Sequence, residues 1–469
     1  MPYEVRVLSG ERELTAVAPA WEALRAAKDR PHVEQHLDWL LADARATREQ
    51  RRRPMAIALF EGGNLAAIAP FSLRDWSWRC SLGYAKVASF PVALADLAGD
   101  DFVVPDDRDP PAAGAEPASQ AGEDGPRAPS GPRARRTEAL LEAIARADVP
   151  FDLFYLESLR VGSPLWEAIQ RSAALRERFH VYVPTPPSAH WLIRLPESFE
   201  AYVSKFGGKT RRKLTYAARK LEQEAGGAIH VECIRAREDV PRFVRAVQTL
   251  SERSWQGTRL GQVVRATSEQ IDALSLQAER GWLRSYLLSC KGEPVAFVLG
   301  SQEGGVYYYE RIGYDPKWAD FSPGKVLLLR LLEDLFKPHT GAERPRWLDF
   351  GSGDSEYKQL FGNEQYAEAH VYLVRKTPYM TAALSVHAGL NRVESTARKL
   401  LVRYGLREKV RHLLRGRWPG GKSASPPAPG GTEDAARAPK PTSAANAARR
   451  APAAANARKS EDPPASAAE

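Results

Sequence analysis

The chain has 469 residues, 43% of them hydrophobic, with 11 tryptophans and a net charge of +9. That length suits two or three domains and that apolar content a sizeable core. The three cysteines, Cys80, Cys233 and Cys290, are scattered, which argues against a disulfide framework and against a zinc or redox motif. The opening MPYEVRVLSGERELTAV is charged throughout and has no apolar core of a signal peptide, and no run approaches the ~18 apolar residues of a membrane span. The expectation is a soluble cytoplasmic protein, with peripheral attachment to the inner membrane face as a secondary location. Net positive charge attracts anions and suits an anionic cosubstrate; nothing here asks for sequence-specific nucleic acid.

In chain order, Tyr3 to Leu8 reads as a strand, Leu14 to Ala27 and Gln35 to Ala46 as helices. MAIALFEGGNLAAIAPFSL reads as a hairpin turning at Gly62-Gly63. Residues 106–136 are rich in Pro, Ala, Gly and charge and read as a disordered insertion. A helix (Thr137 to Ala147), the strand DLFYLESL, a helix near Leu165 to Leu175 and a strand near His180 to Val183 complete a first unit. A similar order then repeats. TRRKLTYAARKLEQEA and VPRFVRAVQTLSERSW are helices around the strand AIHVECI, and a further helix spans Ile271 to Glu279. A three-strand meander follows, with turns at Lys291-Gly292 and Gly304-Gly305, then the helix GKVLLLRLLEDLFK and the strands RWLDFG and AEAHVYLVR. The repetition predicts two related α+β domains in tandem, 1–185 and 186–376, with mixed, mostly antiparallel sheets flanked by helices. A basic helical extension (377–418) and an Ala/Pro-rich tail (419–469) follow.

Four stretches carry possible chemistry. After YYYERIGYD, a helix begins at Ser322-Pro323-Gly324-Lys325; its amino terminus offers backbone N–H groups, positive dipole and a lysine to an anion, or is simply a capped helix. In LDFGSGDSEYKQLFG, glycines open the end of a strand carrying Asp349, and Tyr357 and Lys358 would project from the turn as an acid and a cationic orienter, or serve a structural turn. From Ser204 to Lys220 there are seven cations and no acid; Arg211 and Arg212 there would hold an anionic acceptor, or belong to a solvated basic face. Trp255 would floor an acceptor pocket or seal the core. The stretch Arg392 to Arg417 sets nine cations against two acids along apolar stripes. It reads as a helix for an anionic membrane face, or as one packed on the second domain. The dispersed histidines give no ligand spacing, so no metal site is expected, and Walker, GxSxG and GxGxxG motifs are missing.

Taken together, the order RRKLTYAARKLE, SERSWQGT, WLRSYLLSCKGEPVAFVLG, YYYERIGYDPKWADFSPGKVLLLRLLEDL, WLDFGSGDSEYKQLFG resembles the GNAT-type acetyltransferase domain of the CelD/BcsL group, associated with cellulose and exopolysaccharide synthesis and related to the FemAB transferases. The resemblance covers residues 186–376 best and implies two GNAT-like units, the first degenerate. It implies acyl transfer from an acyl-CoA cosubstrate, acetyl-CoA above all, to an amine, hydroxyl or sugar acceptor, with no bound cofactor. It places the CoA pyrophosphate at Ser322, Gly324 and Lys325, although DFSPGK keeps only one glycine of the usual acetyl-CoA signature. Glu310 or Asp349 would be the base, Tyr357 the acid for the leaving thiolate, and Arg211, Arg212, Trp255 and Lys358 the acceptor contacts. The alternatives are a FemAB-like transferase using aminoacyl-tRNA and a non-catalytic membrane- or assembly-binding protein.

Overall fold

The computed structural model describes residues 3–28, 30–46, 52–82, 85–106, 131–227, 229–254, 257–258, 263–337 and 343–403. The first half contains β1 (Glu4–Ser9), α1 (Gly10–Ala16), α2 (Ala18–Ala26), α3 (Leu37–Ala46), β2 (Arg53–Glu61), β3 (Asn64–Leu82), β4 (Ala85–Leu97), α4 (Pro132–Arg146), β5 (Leu153–Arg160), α5 (Pro164–Arg171), α6 (Ala173–Arg178) and β6 (Phe179–Tyr182). The second contains β7 (Ser188–Arg194), α7 (Phe199–Val203), α8 (Gly208–Glu224), β8 (His230–Ile234), α9 (Val240–Arg253), α10 (Ser268–Glu279), β9 (Ser285–Cys290), β10 (Glu293–Glu303), β11 (Val306–Tyr314), α11 (Pro323–Leu335), β12 (Trp347–Asp349), α12 (Glu356–Phe361) and β13 (Glu364–Arg375). The helix α13 (Pro378–Arg403) follows.

The fold is α+β. All the described strands join one sheet in the order β1-β2-β3-β4-β5-β13-β7-β12-β11-β10-β9-β8, with β6 on β13. Among the described strands two neighbouring pairs are parallel, β4–β5 and β11–β12; the others are antiparallel. A parallel pair needs a crossover. The two crossovers are α4 and α11, so each half repeats the same plan: antiparallel strands, a helix, then a parallel strand. The halves are not separated by a seam. β13, the last strand of the second half, pairs with β5 of the first and with β7.

Local sequence explains most elements. Gly62 and Gly63 take the positive φ of the β2–β3 turn (+58° and +83°). Leu214, Ala218 and Leu221 form the one buried face of α8, whose other sides carry its cations. Ser163 caps α5 by accepting from the Trp166 N–H, with Pro164 at the first helical position. One large core lies under α4 and α5, centred on Phe71, Leu140, Phe154 and Val371. A second lies under α8 and α11, centred on Leu221, Tyr307, Leu327 and Phe361. A small cluster, Val33, Trp282, Val306 and Tyr308, joins the halves.

Several expectations are revised. The expected first helix is two, broken at Val17 ahead of Pro19. The hairpin continues to Leu82 and returns as β4, because Trp78 and Cys80 alternate inward among polar residues. The supposed insertion is shorter: α4 already begins at Pro132, anchored by buried Thr137, Leu140, Leu141 and Ile144. Residues 107–130 and 404–469 lie outside the described residues.

Gly300 lies over Tyr307, whose hydroxyl donates to Arg284 O; a Cβ there would come within 2.2 Å of the Tyr307 Oη. Gly300→Ala is expected to destabilise the fold by about 1–3 kcal/mol, read as an earlier denaturant midpoint.

Candidate active site

The site is built where β11 parts from β12. The two pair over Val306–Tyr308 and Trp347–Asp349 only. β12 then ends, while β11 runs on to Tyr314 against β10. From Tyr309 onward one edge of β11 meets no described strand. In this stretch the β10 register slips: Leu299 faces Arg311 and Gly300 faces Tyr309, so Glu310 is the extra residue of a β-bulge. A bulge breaks the alternation of side chains and re-aims one of them. Glu310 is exposed, and its Oε1 accepts from the Ser301 hydroxyl at 2.5 Å. Protein packed around it raises its pKa above the ordinary carboxylate value, against the pull of that hydrogen bond, and Glu34 adds repulsion.

Beside the bulge, three neighbouring strands share one buried ion cluster. His190 on β7 stands between Asp349 on β12 and Glu368 on β13, with Nε2–Oδ1 at 2.7 Å and Nδ1–Oε2 at 2.5 Å. Tyr366 stacks on the imidazole at 4.5 Å between centroids. Burial works against a charged histidine, but the two carboxylates push His190 up to about 9. Burial likewise opposes ionisation of Asp349, yet His190, the Gly351 N–H and Arg30 hold it well below the usual carboxylate range. Glu368 is lowered by the same partner despite its burial.

The first half closes over this cluster. Arg30 reaches Asp349 Oδ2 at 3.7 Å. Pro31 O accepts from the Tyr308 hydroxyl at 3.0 Å, and the His32 ring lies 4.9 Å from the Tyr308 ring. Arg25 pairs with Glu303 at 2.6 Å. Glu34 follows two residues after His32, and Glu157 lies near the end of β5. Both are exposed at the rim. Protein on several sides pushes both up to about 7, helped by repulsion from Asp43, Asp96 and Asp100 at Glu34 and from Glu34, Asp96 and Glu368 at Glu157. Glu34 and Glu157 thus stand with Asp96 in one group of carboxylates, beside the Arg74 that pairs with Asp96 at 3.0 Å.

The sequence-derived candidates fall into three groups. Glu310 and Asp349 lie on adjacent strands, with Asp349 opposite Tyr308, two residues before Glu310. Asp349 is an ionised, fully engaged partner of His190 and Arg30, whereas Glu310 keeps contact with solvent. Ser322, Gly324 and Lys325 open α11 beyond the free β11 edge; Ser322 caps nothing with its side chain and instead takes a left-handed conformation (φ +53°). The first turn is thus uncapped, with Lys325 exposed and Gly324 3.7 Å (from an ideal Cβ) from Tyr314 Cδ1. Lys220 of α8 lies 4.9 Å over the Phe321 ring beside it. Tyr357 is packed between Tyr309 and Phe350 (6.3 and 5.7 Å), and its burial raises its pKa, so it stays a phenol.

Lys358 does not project from a turn. It is buried on α12, and its Nζ donates to Gly351 O at 3.1 Å and Ser352 O at 2.5 Å, so it fastens the glycine loop from within. Burial draws it down to about 8. Arg211 and Arg212 stand exposed near the start of α8, two turns from Lys220. Trp255 lies outside the described residues. His190, Glu368, Arg30, Glu34 and Glu157 escaped sequence reading. The visible signal was the polar alternation Tyr366, Glu368, His370, Tyr372 in a strand whose other face is apolar.

Residues 208–359 match the family model of the acetyltransferase (GNAT) domain. This stretch is a GNAT acetyltransferase domain, and the chain is an acyltransferase. It contains α8 through most of α12, with the free β11 edge, the bulge and the start of α11. No curated protein matches the chain. Among solved structures it is similar to FemX (12% identity, 76% of this chain and 96% of that one, TM-score 0.47). It is also similar to a tandem GNAT protein from the clavulanic acid biosynthesis pathway (13%, 80% and 99%, 0.41). A third is the C-terminal domain of a putative lysylphosphatidylglycerol synthetase from Agrobacterium fabrum (12%, 79% and 96%, 0.42). At these values the similarities carry no argument about chemistry.

The His190 cluster predicts a pH dependence of stability. A histidine raised from 6.5 to about 9 contributes in full below pH 6.5 and loses that contribution as pH climbs through 9. The melting temperature should fall across this window. His190→Gln should flatten the slope and cost about 3–5 kcal/mol, because it leaves buried carboxylates unpaired. A wild-type melting temperature that is level from pH 6.5 to 9 would contradict the assignment.

Proposed function

We propose that the protein transfers an acyl group, acetyl in the simplest case, from acyl-CoA to a cationic amine that enters the cleft between the halves. The carrying observation is the juxtaposition within the matched domain of an open β11 edge, a solvent-touching bulge carboxylate and an uncapped helix start. A pantetheine arm contains amides, which pair with an open strand edge as an added strand does. A diphosphate suits the amides of the first turn of α11 with Lys325, and Lys220 adds charge nearby. Glu310, with its raised pKa, takes the proton from the attacking nitrogen. Backbone N–H groups at the bulge hold the developing oxyanion. As the C–N bond forms and the C–S bond breaks, the Tyr357 phenol protonates the leaving thiolate.

A cationic acceptor suits Glu34, Glu157 and Asp96. These carboxylates crowd one another, and an ammonium group among them relieves that repulsion. The basic face of α8 with Arg211 and Arg212 is reserved for the CoA side rather than for the acceptor. The resemblance to the CelD/BcsL group favours an acceptor from polysaccharide or cell-envelope synthesis, such as an amino sugar. The units 1–185 and 186–376 are then acceptor-binding and donor-binding parts of one enzyme. An aminoacyl-tRNA donor is the second reading, favoured by the exposed cations of α8.

Calorimetry of acetyl-CoA on the full chain tests the donor. Wild type and Gly324→Ala should bind at micromolar strength, since a methyl group fits at Gly324, while Gly324→Glu should bind at least ~100-fold more weakly through charge repulsion at the helix start. Binding untouched by Gly324→Glu, or none in wild type, would reject this donor site. For the acceptor, Glu34→Gln and Glu157→Gln should raise KM for amines by roughly 5–50-fold with kcat little changed, measured by steady-state kinetics. An unaltered KM in both would remove the amine argument.

A further inference from the structure

Most of the exposed large apolar side chains among the described residues gather on one surface. Leu82, Val87, Tyr379, Val386 and Val393 lie on the β3–β4 hairpin or on α13, at 41–55% exposure, whereas Val5 and Val7 lie on β1 and Tyr216 on α8. These two elements pack on each other. The Tyr379 hydroxyl donates to Pro91 O at 3.0 Å and His387 stacks on Trp78 at 4.8 Å, while Asn391 Nδ2 donates to the Tyr182 hydroxyl of the neighbouring β6 at 2.8 Å. Met380 and Ala383 fill the core beneath. The helix therefore advances from β4 across β3 and away from the core. Tyr379, Val386 and Val393 recur every seven residues along its outer side, so they form a stripe facing water. None of this surface contributes to the acyl-transfer cleft, which lies at β11.

The charge around the stripe has one sign in excess. Arg79 and Lys86 on the hairpin and Arg392 on the helix are exposed there. The sequence then continues from Tyr404 to Trp418 with Arg407, Lys409, Arg411, Arg415 and Arg417 against Glu408. An apolar stripe rimmed by cations matches the interface of an anionic bilayer, where apolar side chains enter the headgroup boundary and cations meet lipid phosphates. A protein partner would need an acidic, apolar face of its own; a bilayer supplies both features at once. We propose that α13 and the end of the β3–β4 hairpin form a docking surface for an anionic membrane.

The test is flotation of the full chain with vesicles of phosphatidylcholine alone, or of phosphatidylcholine with about one-third phosphatidylglycerol. Wild type should float with the anionic vesicles at low salt, detach at high salt and ignore the neutral ones. Val386→Asp with Val393→Asp, and separately Lys86→Glu with Arg392→Glu, should each weaken binding by roughly tenfold or more. Both pairs are exposed, so melting temperatures should match wild type. Val5→Asp, at an exposed apolar site on β1, serves as the control and should bind as wild type does. Absent flotation, equal binding to neutral vesicles, equal loss in the Val5 control, or self-association through the patch without lipid binding would each overturn the proposal.

Discussion

The centre of this molecule depends on one imidazolium held between two carboxylates. β13, β7 and β12 are neighbours in the sheet, and each contributes one member, Glu368, His190 and Asp349. Buried charges are costly unless paired and hydrogen-bonded, so this trio is stable only when the three strands are in register. The register in turn fixes where β12 stops beside β11, and so where the free edge of β11 begins. Arg30 adds the first half to the same charge system. The bulge at Glu310 lies next to that point, two residues beyond Tyr308, which faces Asp349.

The cluster also divides the labour of the acidic residues. Asp349 is ionised and fully occupied, which makes it a poor proton acceptor and a good structural anion. Glu310, Glu34 and Glu157 face the opposite balance, with raised pKa values and contact with solvent. Carboxylates close together in one fold thus titrate differently in different surroundings.

Much of the fold was legible in the sequence, because it was written in local patterns. Glycine turns, heptad-like helix faces and alternating strands gave the element order and its repetition in both halves. The long β3–β4 hairpin was harder, since Trp76, Trp78 and Arg79 mix apolar and charged residues on a twisted ribbon. The insertion of β13 between β5 and β7 is a long-range pairing that no local pattern encodes. The site divides the same way. Glu310, Gly324 and Lys325 could be proposed from the sequence because a strand end and a helix start mark them. His190 and Glu368 were not, because their chemistry arises only from juxtaposition of distant strands. Lys358 misled for the same reason: an exposed-looking lysine in a glycine-rich turn is in fact folded inward onto that turn's carbonyls.

In the proposed mechanism Glu310 is the base of an acyl transfer to an amine. The most direct test of that role is the pH–rate profile for release of the CoA thiol from acetyl-CoA in the presence of a diamine acceptor. The profile should show an acid limb with a midpoint above the ordinary carboxylate value. Glu310→Gln should lower kcat by about 10²–10⁴ and abolish that limb. A Glu310→Gln enzyme that keeps its rate and its acid limb would contradict the role.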